Sequence, residues 1–306
     1  AGYSMKEFRE DPQKAASAFI QSIEKYDLDG ILIDFDTTHL AAAIGTPIDY
    51  PEHEPARAIS GLITSWDMLD DMEDIDISKD VPIQIWLETF VLVKKHFGNE
   101  KYVRGNCDQA PFSLASMTRG AQEWMLDLMI PGEEVEKLLD YSTDICIQFI
   151  DLMASTGVDM VSNGDSPAGP EMISPEMFRQ FALPYEKLLV DAAHKHNLPY
   201  LNHICGDTEM ILEDMLESGT DGLELDYKTD IRKIFEVLGG KKLFIGNIDP
   251  SGVLALGTKS MVKEKTLELL EVYKDSPRLV INAGCAIPPD TPSENIKEMI
   301  KTARDF

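Results

Sequence analysis

Residues 199–227 run PYLNHICGDTEMILEDMLESGTDGLELDY. Pro199–Ile204 and Gly222–Tyr227 are short, mostly apolar runs with the length of a buried strand. Between them, Asp207–Ser218 repeats its apolar residues at helical period. It opens on an aspartate of the kind that caps a helix and puts Glu209 in the first turn, where an acid suits the helix dipole. Strand, helix and strand in direct succession make a βαβ unit, and such a unit builds a parallel sheet.

The alternation continues in both directions. Further strand candidates are Gly30–Phe35, Tyr102–Cys107, Asp159–Asn163, Leu243–Asn247 and Leu279–Ala283. Helical patterns over Pro12–Tyr26, Ser116–Met129, Gly132–Ser155, Pro175–His196 and Lys259–Lys274 lie between and after them. Ser174-Pro175-Glu176 is a cap, then proline at the first helical position, then an acid. The expected fold is α/β, a (β/α)8 TIM barrel. Its first strand is missing or precedes residue 1, since Ala1-Gly2-Tyr3 reads as the loop after a strand. An open sheet of the strands counted here is the alternative. One domain over residues 1–306 is expected, with an elaborated insertion at about 46–100 that holds Gly61–Met72 and Val81–His96.

Composition narrows the function. Apolar residues at 43% and charged residues at 27% describe an ordinary globular chain. Acids outnumber bases 54 to 28, for a formal charge of −26. That surface repels phosphate backbones and anionic lipid, which argues against nucleic-acid and membrane partners. No apolar stretch is long enough to span a bilayer and the start does not read as a signal peptide, so the default location is the cytoplasm. The 4 cysteines, Cys107, Cys146, Cys205 and Cys285, are too few and scattered for a disulfide framework.

In a barrel the chemistry sits where strands end and loops begin. Those positions here hold Asp34 and Asp36, Cys107 and Asp108, Asn163 and Asp165, His203 and Cys205, Glu224 and Asp226, Asn247 and Asp249, Asn282 and Cys285. Loop ends are polar in any case, and part of this set serves caps and turns. His203 and Cys205 are two apart on a strand, so both side chains project from one face. With the distant Cys285 they reach the three protein ligands that a catalytic zinc takes while keeping a fourth position open. The competing reading is that a strand cysteine is a small buried hydrophobe. Asp226 is either a fourth ligand or a turn-forming carboxylate. Cys146, among Ile145, Ile147, Phe149 and Ile150, reads as core, and Cys107 as lining.

Several segments resemble the uroporphyrinogen decarboxylase superfamily. They are residues 1–10 (AGYSMKEFRE), residues 110–116 (APFSLAS), residues 173–178 (ISPEMF) with Leu183-Pro184-Tyr185, residues 246–250 (GNIDP) and residues 286–292 (AIPPDTP). The resemblance covers nearly the whole chain and implies a (β/α)8 barrel. Two branches compete. The haem-pathway decarboxylases use first-loop arginines and no metal, but Tyr3 stands where such an arginine would follow Ala1-Gly2. The last strand, which in decarboxylases ends in Gly-His-Gly, here reads Gly284-Cys285-Ala286. The zinc-dependent, corrinoid-linked methyltransferases carry His-x-Cys on one strand and a cysteine on the last, as His203-Ile204-Cys205 and Gly284-Cys285 do.

On this second branch the resemblance implies zinc on His203, Cys205 and Cys285. It also implies a corrinoid supplied by a partner protein. The expected activity is methyl transfer between a methoxylated compound and that corrinoid, with the thiol-methylating direction as alternative. Asn163 and Asp165 are expected to orient substrate and Asp249 to steady a ligand histidine. Asp34, Asp36 and Asn247 are candidates for contact with the corrinoid, and Asp34 or Asp36 would hold the pyrrole nitrogens if the chain is a decarboxylase. A non-catalytic module binding a corrinoid or tetrapyrrole is the remaining alternative.

Overall fold

A computed structural model of the chain describes residues 1–34, 36–70, 72 and 75–306. By packing, the chain divides into two compact units, Ala1–Asp165 with Pro184–Tyr200, and Ser166–Leu183 with Leu201–Phe306.

In the first unit the strands Gly30–Ile33, Tyr102–Gln109 and Met160–Gly164 pair in that order, all parallel. Gly30 aligns with Tyr102 and Arg104 with Met160, and the second pairing shifts register between Asn106 and Gln109. Such an irregularity bends a strand and re-aims its side chains. The helices Pro12–Tyr26, Val81–Phe97 and Glu133–Ala154 cover these strands. Asp11 caps the first of them, its carboxylate accepting from the Gln13 and Lys14 amides ahead of Pro12. Asp80 caps the second in the same way. Their apolar faces meet in a core built around Trp86, Phe90, Phe97, Val103, Phe149 and Met153. Trp86 stacks on His39 at 5.3 Å and meets Phe90 edge-on at 5.0 Å. Burial holds the His39 imidazole down to about 4, so it packs as a neutral ring.

The second unit carries the strands Tyr200–Ile204, Gly222–Leu225, Leu243–Ile248 and Leu279–Ala283, parallel and neighbours in chain order. Tyr200 itself belongs to the first unit. Leu201 pairs with Gly222, His203 with Glu224 and Phe244 with Leu279. The helices Ile231–Leu238 and Lys259–Tyr273 pack through Phe244, which stacks on Tyr273 at 5.4 Å, while Phe235 meets the same tyrosine at 4.9 Å.

Each strand expected from sequence is present within a residue or two, though Phe35, the expected end of the first, lies outside the described residues. Three expected helices are broken. Asp207–Ser218 becomes a single tight turn, Glu209–Ile211, and the helix Leu212–Glu217, with Asp207 accepting from the Glu209 amide. Ser116–Met129 becomes Pro111–Arg119 and Ala121–Asp127, because Gly120 turns the chain with φ 93°. Pro175–His196 becomes Pro175–Phe181 and Leu183–Lys195, since Pro184 lacks the N–H a continuous helix would need. The stretch at about 46–100 holds the ribbon Ile48–Asp49 with Arg57–Ala58, the short helix Asp67–Asp70 and the helix Val81–Phe97. Among the described residues, no helix is long and apolar enough to cross a membrane.

Candidate metal centre

The second unit brings His203, Cys205 and Cys285 together. One ligand atom from each lies within 4.8 Å of the other two. His203 Nε2 stands 3.1 Å from Cys205 Sγ, which stands 3.5 Å from Cys285 Sγ. All three are half-buried, shielded from bulk water but reachable. His203 projects from the strand Tyr200–Ile204, Cys205 follows that strand and Cys285 follows Leu279–Ala283. The two sulfurs lie within hydrogen-bonding distance of one another. Hydrogen bonds from Cys205 and then His203 pull the Cys285 thiol down to about 4, while donation to Cys285 and then burial push the Cys205 thiol up. Metal binding displaces thiol protons, and a thiol already drawn down eases that exchange. One imidazole and two soft sulfurs at this spacing fit zinc, with room for a further ligand.

The loops are shaped by groups the sequence also singled out. Asp226 is buried. Its Oδ2 accepts from the Gly206 amide at 3.0 Å and its Oδ1 from the Lys228 amide at 3.3 Å, so it forms the turn that follows Cys205. Asn247 donates to the carbonyls of Asp226 at 3.2 Å and Thr229 at 3.1 Å, and so serves the same loop. Asp249 departs from the role expected of it. It caps the turn Pro250–Ala255 by accepting from the Ser251 and Gly252 amides, and it is Glu224 that meets the His203 ring. The Cys205 amide donates to Ser166 Oγ at 3.3 Å, a contact between positions 39 apart that no motif reveals.

Gly284 precedes Cys285 where the chain has no room for a side chain. A Cβ there would lie 2.6 Å from the Tyr227 nitrogen and 3.0 Å from the Asp226 Cα, both backbone atoms. Gly284→Ala is therefore expected to push Cys285 off its partners and lower zinc affinity about tenfold or more, the scale on which misplaced ligand supports act. Chelator competition measures it, and an unchanged affinity would show that the loop can yield.

The remaining candidates belong to the first unit. Asn163, almost fully buried, donates to the Cys107 carbonyl at 2.6 Å and the Gln109 carbonyl at 3.3 Å, bridging the irregular stretch of the adjacent strand. Asp165 is buried, and its Oδ1 accepts from the Ser113 amide at 2.9 Å and hydroxyl at 2.5 Å. Asp36 is held by Arg9, with Nε at 2.6 Å and Nη2 at 3.2 Å, and by the Ala56 amide at 2.6 Å. Asp34 is exposed, and its charge is one reason the Asp108 carboxyl is raised to about 7, after burial and against the Leu40 amide. Burial raises Asp165 as well, despite Ser113. Cys107 and Cys146 are buried with thiols pushed far up, as inert core sulfurs are.

Parallel strands leading into helices, with a thiol-rich ligand cluster at the strand ends, define an α/β protein with a candidate metal centre. The chain belongs to the uroporphyrinogen decarboxylase (URO-D) family, which it matches over residues 1–306. A methylcobamide:CoM methyltransferase, MtbA, of Methanosarcina acetivorans is 26% identical over 307 residues, spanning 100% of this chain and 88% of that one. A uroporphyrinogen decarboxylase of Microcystis aeruginosa is also 26% identical, over 99% of this chain and 86% of that one. A solved methyltransferase from Methanosarcina mazei superposes with a TM-score of 0.90 at 25% identity, covering 100% of this chain and 88% of that one.

Proposed function

We propose that this chain moves a methyl group between a corrinoid and a thiol at a zinc ion held by His203, Cys205 and Cys285. The observation that carries the reading is the cluster itself, two sulfurs and one imidazole nitrogen within 4.8 Å. Overall identity does not separate the two activities named among its relatives, since both stand at 26%. A thiol-rich centre does, because decarboxylation of a porphyrinogen has no use for a soft-metal site. The chain is thus a corrinoid-dependent methyltransferase of the URO-D superfamily.

When bound, zinc supplies a Lewis acid that keeps a thiol substrate in its thiolate form near neutral pH. In the transfer a sulfur–carbon bond forms, the cobalt–carbon bond breaks and its electron pair stays on cobalt. The chain's own residues gather the ligands, shield them and shape the approach. Asp226 and Asn247 hold the loop after Cys205, and Gly284 lets Cys285 come close. The corrinoid is delivered by a partner protein, as in the reading from sequence. The thiol direction is preferred over a methoxylated donor because the relatives' names specify coenzyme M, a thiol, as the methyl acceptor.

The test is elemental analysis of the purified protein followed by incubation with methylcobalamin and a panel of small thiols, including coenzyme M. About one zinc per chain and loss of methylcobalamin with formation of a thioether are expected. Metal-free protein that converts uroporphyrinogen to its decarboxylated products would replace this reading with the family's other activity. Zinc without any methyl transfer would reduce the chain to a binding module.

A further inference from the structure

We infer that Glu224, braced by Asn282, is the positioning residue for the metal-binding imidazole of His203, setting both its tautomer and its strength as a ligand. This rests on the zinc reading above. His203 and Glu224 are register partners on adjacent parallel strands, so their side chains leave the sheet side by side. His203 Nδ1 lies 3.0 Å from the Glu224 carbonyl oxygen. A carbonyl only accepts, so Nδ1 carries a hydrogen, and Nε2 is the nitrogen whose lone pair goes to a metal once the metal replaces its hydrogen bond to the thiols. That lone pair is on the nitrogen that stands 3.1 Å from Cys205 Sγ.

Glu224 approaches the same nitrogen a second time, with its carboxylate Oε2 at 3.6 Å. The carboxylate is not loose. Its side chain is only 9% exposed, and its Oε1 accepts from Asn282 Nδ2 at 3.0 Å. Asn282 comes from the strand Leu279–Ala283, which is separated from the Glu224 strand by Leu243–Ile248. The brace therefore crosses an intervening strand and fixes Glu224 from the side opposite His203. A fixed carboxylate at the far nitrogen of an imidazole makes the near nitrogen a stronger donor and holds the ring in plane with its ligand direction.

A purely structural role for this trio would tie three strands and leave the metal indifferent. The two roles are separated by zinc competition against a chromogenic chelator and by absorption spectra of the cobalt(II)-substituted protein. The proteins compared are wild type, Glu224→Gln, Asn282→Ala and the double variant. Glu224→Gln keeps the shape and removes the charge. It should weaken zinc about 10–100-fold, the range seen when groups behind a metal ligand are removed. Its cobalt spectrum should shift in the ligand-field bands and keep the sulfur charge-transfer bands, since both thiolates remain. Asn282→Ala should weaken zinc severalfold, and the double variant should be no weaker than Glu224→Gln, because Asn282 acts through Glu224.

Zinc affinity of Glu224→Gln within twofold of wild type, or effects of the two substitutions that add in full, would overturn the proposal while leaving the metal centre intact. If Glu224→Gln does not fold, a folded Asn282→Ala with unchanged zinc affinity overturns it equally. A wild-type protein that holds no zinc overturns this proposal and the methyltransferase reading together.

Discussion

Replacing Cys285 with alanine is expected to empty the metal centre and abolish methyl transfer while leaving the protein folded. Four-ligand zinc sites in small domains bind with about 10–16 kcal/mol, so one ligand's share is about 3 kcal/mol, or on the order of 100-fold in affinity. The loss should lie at or above that figure here. Cys285 is one of only three protein ligands in the cluster, and removing it leaves Cys205 and His203, two residues apart on one stretch of chain. The fold itself should tolerate the change. Cys285 is half-buried and lies in a loop, so no core volume is lost. Zinc content by elemental analysis, thioether formation from methylcobalamin and circular dichroism are the three readouts. Full zinc content in a folded Cys285→Ala protein would end the account of the site.

A second large effect is expected far from any chemistry. Asp36→Ala should destabilise the first unit by about 3–5 kcal/mol, the cost of leaving a buried charge without its partner. The side chain of Asp36 is 2% exposed and that of Arg9 is 12% exposed. Arg9 also donates to the carbonyls of Pro51 at 2.6 Å and Glu54 at 2.7 Å, so the guanidinium is held in place and cannot swing out to water. The Ala56 amide would lose its acceptor in the same substitution. Against a typical stability of about 5–15 kcal/mol this is a large fraction, and it should appear as a lower urea midpoint. Zinc content should be unchanged. A variant of full stability that has lost only activity would instead mark Asp36 as a ligand-binding residue, the role its strand-end position suggested.

The contrast between these two residues shows what was legible in the sequence. The parallel strands were readable because each is a short apolar run between helical patterns, and Pro12, Ser174 and Pro175 announce helix starts by local chemistry. His203 and Cys205 could be paired from strand geometry, since alternate residues share a face. Cys285 was linked to them by its position at the end of the last strand and by resemblance. Contacts that depend on register were not readable. The Glu224–Asn282 brace joins positions 58 apart, and the Arg9–Asp36 pair joins positions 27 apart. Nothing local distinguishes Glu224, which faces an imidazole, from Asp249, which caps a turn. Both are acids at strand ends, and only the alignment of strands separates them. The helix breaks at Gly120 and before Pro184 follow from residues in plain view, but the surrounding apolar period masked them.

Asp108 and Asp165 have a consequence for the protein's proton inventory. Both are carboxyls sealed from water, and one oxygen of each finds no hydrogen-bond partner among the described residues. The folded chain grips these two protons more tightly than the unfolded chain does. Each group therefore favours the native state most in acid, below its unfolded value near 4. That advantage drains away as the pH climbs through the raised folded value, about 7 for Asp108. At neutrality the formal count of −26 treats both as ionised, so electrophoretic mobility should report a molecule less negative than its composition implies.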